Sequence, residues 1–184
     1  MVPIMSLWIP ILLSAVLVFV ASFLIHMMLG YHRSDFGGVP SEGEFLEAVR
    51  KFDIPKGDYC VPHPVSPKEM KNPEFMEKWK RGPVLIMTVT KAAPMGPQLL
   101  QWFLYCIFIG LFAAYVAGRA LPPGAPYRAV FRFAGVTAFA GYSLALIQNS
   151  IWYKKRWSTT LKNVFDGLVY GCLTAGAFGW LWPK

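Results

Sequence analysis

Acidic side chains are nearly missing from most of this chain. Of its ten Asp and Glu residues, nine fall between Asp35 and Glu77, and the tenth, Asp166, stands alone in an apolar run near the C-terminus. Charge of either sign is scarce: 15% of residues carry one, against about 25% in an ordinary soluble domain. Residues 33–91 hold nineteen of the twenty-eight charged side chains, so the remainder is almost uncharged over long stretches. With 55% apolar residues, that distribution excludes a conventional soluble domain and marks a membrane protein.

Other absences narrow the function. There are only three cysteines; Cys106 and Cys172 lie in apolar runs and Cys60 in the charged stretch, so no disulfide framework is implied. No Walker loop, G-x-S-x-G elbow, H-E-x-x-H pair or dinucleotide fingerprint occurs. The chain is therefore not expected to be an enzyme, and the sequence assigns no cofactor. The first apolar run has no basic residue before it and is too long for a signal-peptide core, so it reads as a retained anchor.

The net charge of +8 does not point to nucleic acid. Residues 33–91 hold ten basic and nine acidic side chains and are close to neutral; the excess lies beside apolar runs, as in Arg119, Arg128, Lys154, Lys155 and Arg156. Basic residues at such positions orient spans and meet anionic headgroups. The lipid bilayer is the expected partner.

Four segments are long enough to cross a bilayer, which takes about 20 helical residues: roughly 4–29, 99–121, 128–153 and 160–182. The predicted fold class is an all-α membrane protein, a four-helix bundle with a small mixed α/β insert. The divisions are a first transmembrane helix at 1–29, a soluble or interfacial insert at 30–97, and helices two to four at 98–184. Trp8, Trp102, Trp152, Trp157, Trp180 and Trp182 fall near span ends, matching an interfacial aromatic belt. The basic flanks place the insert in the cytoplasm and both termini on the periplasmic side.

Small residues recur every four positions in two spans, Gly167, Gly171, Ala175 and Gly179 in the fourth and Gly110, Ala114 and Gly118 in the second, and every three or four in the third, Ala134, Ala138, Gly141 and Ala145. Such ladders let helices approach closely, within one bundle or in a homo-oligomer. In the insert, Ser41 and Glu44 form a capping-box pattern for a helix to about Phe52, and Asn72-Pro73 opens another that stops at Gly82. Val84–Val89 can pair with Tyr59–Val61 as strands. Each helix is too short to persist alone, so their apolar sides require a neighbour: each other, the membrane surface or a partner protein.

Asp166 is the residue in need of explanation, because a carboxylate in hydrocarbon is costly unless paired, hydrated or protonated. Matching depths across the spans places His26, Gln101, Gln148, Asn149 and Asp166 in one polar layer near the insert side. That layer reads either as a hydrogen-bonded clamp between helices or as a proton, ion or small-polar-ligand site of a channel or transporter. In that layer Asp166 can pair with His26 or with Lys162, four residues before it. A second grouping, His26, Met27, Met28, His32 and Asp35 with the pair Cys60 and His63, offers imidazole and sulfur ligands suited to a metal or haem iron. His26 and His32, six residues apart, face together only if the helix ends between them.

The first span ending Ser22-Phe23-Leu24-Ile25-His26-Met27, then Gly57-Asp58-Tyr59, Gly82-Pro83-Val84, Gln101-Trp102-Phe103, Ser150-Ile151-Trp152-Tyr153 and Phe165-Asp166-Gly167 carry a resemblance. The chain resembles, over nearly its whole length, a family of bacterial four-span integral inner-membrane proteins with no established activity. The resemblance implies a bacterial inner-membrane location. It carries over no catalytic residue, ligand or cofactor. The function expected from residues and resemblance together is that of a non-enzymatic structural or accessory subunit.

Overall fold

The computed structural model describes all residues from Met1 to Lys184 and is mostly helical. Helix α1 spans Trp8–Phe23 and continues through a π turn at Leu24–Met28. After it come α2 (Glu42–Arg50), β1 (Gly57–Val61), α3 (Pro73–Arg81) and β2 (Leu85–Val89). The long α4 (Met95–Ala120), α5 (Tyr127–Ser143), short α6 (Ile147–Trp152) and α7 (Trp157–Trp180) complete the chain. These elements form two units, residues 1–36 with 94–184, and residues 37–93. The boundary of the insert therefore lies inside the expected 30–97: Tyr31–Asp35 and the start of α4 belong with the long helices.

Three segments are long and apolar enough to cross a membrane: Ile4–Met28, Met95–Ala120 and Tyr127–Trp152. The expected fourth span, α7, is not among them. Its 24 residues give the length, but its glycines, threonines, Lys162 and Asp166 dilute its hydropathy. Those same residues explain its place in the fold, since a helix that packs on neighbours along one side needs small side chains there more than apolar ones.

The bundle is small inside and large outside. Ala15, Ala113, Ala114, Ala117, Ala134, Ala138 and Ala175 are buried, while Ile9, Leu12, Val16, Leu104, Phe108, Phe112 and Leu168 are exposed. Water would penalise that outer surface and hydrocarbon does not. The ladder of α7 is used inside the chain. A Cβ on Gly171 would come within 3.2 Å of Phe139 and of the Gly135 carbonyl, one on Gly167 would overlap the Ser143 hydroxyl, and one on Gly179 would press on Tyr127. In α4, Gly110 admits Ile11 and Ser14 of α1. In the third expected ladder Ala134 and Ala138 are buried and a Cβ on Gly141 would overlap Ile109 of α4, but Ala145 is exposed. The helix tightens into a 3-10 turn at Leu144–Leu146, which shifts Ala145 off the α period.

Trp8, Trp152, Trp157 and Trp180 stand exposed as a belt requires. Trp102 and Trp182 do not: their indole N–H groups donate inward, to Ser22 Oγ at 2.8 Å and to the Pro122 carbonyl at 3.0 Å.

In the second unit, β1 and β2 pair antiparallel with Tyr59 opposite Met87. Asn72 caps α3 by accepting from the Glu74 N–H at 3.0 Å, and Gly82, at φ +62°, ends it. The capping box on α2 does not form. Ser41 is left-handed (φ +51°) and its side chain makes no cap bond, whereas a capping serine needs extended backbone.

Candidate functional site

The site begins where α1 stops. The π turn over Leu24–Met28 and a left-handed Gly30 (φ +67°) break the helix, and a 3-10 turn at Tyr31–Ser34 follows. Glycine suits this position because the left-handed conformation is costly for a residue with a Cβ. The reversal brings His26 and His32 together, which a continuous helix forbids: their rings stack at 4.3 Å and 7°. It also folds the Tyr31–Asp35 turn back onto α7.

There Asp166, 2% exposed, receives both its partners from that turn. The Tyr31 hydroxyl donates to Oδ1, and His32 Nε2 lies 2.7 Å from Oδ2. The other nitrogen of His32, Nδ1, lies 2.6 Å from Asp35 Oδ2. The ring thus stands between the two carboxylates, with one nitrogen on each. Lys162, one helical turn before Asp166 on α7, donates to the Tyr31 carbonyl at 2.6 Å, Ser34 Oγ at 2.9 Å and Asp35 Oδ1 at 3.0 Å. Lys162 and the His32 ring thus meet on Asp35. Burial acts to raise the Asp35 carboxyl, but hydrogen bonds and charge from His32 and Lys162 outweigh it and hold the group below its ordinary value.

His26 completes the cluster from α1. Its Nδ1 faces the Ser22 carbonyl at 3.0 Å, which leaves Nε2 unengaged by that bond. One ligand atom each from His26, His32 and Asp166 lie within 4.8 Å of one another. His26 is exposed and also borders an apolar groove of about 520 Å³ between α1 and α4, with Phe19, Phe23, Met95, Leu99 and Trp102. Below the site, Tyr170, buried with Tyr142 and Cys106, leaves its hydroxyl without a hydrogen-bond partner.

The expected layer is therefore corrected in its membership. His26 and Asp166 are brought together, whereas Gln101 and Gln148 are exposed, and no side-chain hydrogen bond joins either of them, or Asn149, to Asp166. Asn149 instead uses its backbone carbonyl to accept from Tyr153 and Lys155 where α6 ends. Depth alone selected those residues, and depth does not say which way a side chain points. The expected metal set divides as well. His26 and His32 meet, but Cys60 and His63 lie in the second unit, where the Cys60 thiol faces only the Pro62 carbonyl. The sequence offered Asp35 beside the histidines and Lys162 as a partner of Asp166 one turn away, but not Tyr31, and Lys162 pairs with Asp35 instead.

No protein-family model, curated protein or solved structure matches the chain.

Proposed function

We propose that this chain is a four-span, non-enzymatic subunit of a bacterial inner membrane that binds a protein partner through its 37–93 unit. In this reading α7 crosses with the other three. Its 24 residues extend about 36 Å, enough for a hydrocarbon core of about 30 Å, and the buried pairing of Asp166 lowers the cost of a carboxylate there. The unit and the 153–156 loop face the cytoplasm, and both termini face the other side.

The observation that carries the partner reading is the apolar side of α2, which buries none of its residues. Phe45 and Leu46 are each more than 40% exposed, and Phe52 is 74% exposed. Charges of both signs surround that side, Arg50 pairing with Glu47, so the exposed apolar side chains themselves support the reading: such a patch marks a protein-interaction surface. Interaction through the bundle has less support, because the closest-packing glycines are already filled by α5. Purification from native membranes in mild detergent tests the proposal. A stoichiometric partner is expected, and Phe45→Asp with Leu46→Asp should release it without altering the unfolding temperature of the bundle. A lone, stable monomer from native membranes sinks the reading.

A further inference from the structure

The geometry points to a divalent transition-metal site formed by His26 Nε2, His32 Nε2 and an Asp166 carboxylate oxygen. This goes beyond partner binding and does not depend on it. Proximity is the first reason, since the three ligand atoms lie within 4.8 Å. Orientation is the second and stronger one. Metal-binding histidines nearly always fix their remote nitrogen on a carboxylate or a backbone carbonyl. Both histidines do so here: His32 Nδ1 on Asp35 Oδ2 at 2.6 Å, and His26 Nδ1 on the Ser22 carbonyl at 3.0 Å. Each ring thus keeps Nε2 free of its support, and that of His32 already lies 2.7 Å from Asp166 Oδ2.

The rest of the network serves the same arrangement. Lys162, which could neutralise Asp166, is instead engaged with Tyr31, Ser34 and Asp35. The Tyr31 hydroxyl holds Oδ1 and leaves Oδ2 toward the histidines. Two imidazoles and one carboxylate form a borderline nitrogen–oxygen set, suited to zinc or ferrous iron rather than to calcium or magnesium. Ligand atoms around a tetrahedral zinc at about 2.1 Å are about 3.4 Å apart, so separations of up to 4.8 Å must close, while the 2.7 Å between His32 Nε2 and Asp166 Oδ2 must open. His26 must also tilt out of its stack with His32 until the two lone pairs converge. It is exposed, and its terminal torsion is soft. The ion takes the place of the proton between His32 Nε2 and Asp166 Oδ2, and that proton goes to solvent. Three protein ligands leave a coordination position open beside the apolar groove.

The experiment uses the full chain in detergent, stripped with a chelator and titrated with Zn²⁺ by calorimetry, with bound metal counted by elemental analysis. Co²⁺ gives a parallel readout through its visible absorption. About one ion per chain is expected, with intense visible bands for Co²⁺ showing nitrogen–oxygen coordination of low symmetry. His26→Ala, at an exposed position where folding is not at stake, should abolish saturable binding. Asp35→Asn should weaken it roughly 10–100-fold, the usual effect of removing the group behind a ligand histidine. Cys60→Ser with His63→Ala should leave it unchanged. No saturable binding to the wild type overturns the site. So does binding that persists in His26→Ala, or binding that disappears with Cys60 and His63.

Discussion

Asp166 is tolerable in an apolar helix because two side chains from a neighbouring turn reach its oxygens, while Lys162 of the same helix holds that turn in place through Asp35. The worth of each partner follows its burial. His32, 9% exposed at its side chain, stands between two carboxylates, and its loss leaves both without their shared donor. A buried polar group left without its hydrogen-bond partner costs about 1–3 kcal/mol, and here two are affected. His32→Ala should therefore lower stability by that order in denaturant unfolding in detergent. Lys162→Met should cost less, about 1 kcal/mol or below, because its side chain is a quarter exposed and water screens the pair. Equal losses from the two variants would contradict the arrangement. The sequence singled out Asp166 through charge scarcity alone. It could not place Tyr31 and Asp35 near that residue, since their approach depends on the chain reversal at Gly30, more than 130 residues away along the chain.

Among the elements, those with strong local chemistry were legible. Asn72-Pro73 gave a helix start and Gly82 its stop, and the β-rich run at Val84–Val89 found Tyr59–Val61. Ser41 was misread as a cap because sequence shows the residue type and not the backbone angle on which capping depends. The two positions predict opposite results. Asn72→Ala should cost about 0.5–2 kcal/mol and speed hydrogen exchange at the Glu74 amide, whereas Ser41→Ala should leave the first turn of α2 unchanged. The α5–α7 contact makes a similar contrast. Gly171→Ala drives a Cβ to 3.2 Å from backbone and side-chain atoms of Gly135 and Phe139, an overpacking of about 1–3 kcal/mol. Gly176→Ala meets nothing nearer than the Tyr127 hydroxyl at 3.9 Å and should be neutral or stabilising in thermal unfolding. The ladder's spacing was visible in the sequence. That it faces α5 within the same chain was not, because the spacing is the same whichever helix fills it.

At the scale of the molecule the distribution is inverted, small residues inside and large apolar ones outside, and in the proposed reading α7 enters the membrane through its packing rather than its hydropathy. The sequence established the apolar segments through charge scarcity, and it placed α7 among them by length. Its hydropathy argues less for crossing than its neighbours' do, so the path of α7 is the test of the whole. Single cysteines placed at Gly124, Lys155 and Lys184 in a cysteine-free background can be labelled with a membrane-impermeant maleimide on vesicles of known orientation. The account predicts that positions 124 and 184 label from one side and 155 only from the other. Labelling of 184 together with 155, and not with 124, would mean that α7 does not cross, and would contradict the four-span bundle on which the reading of Asp166 is built.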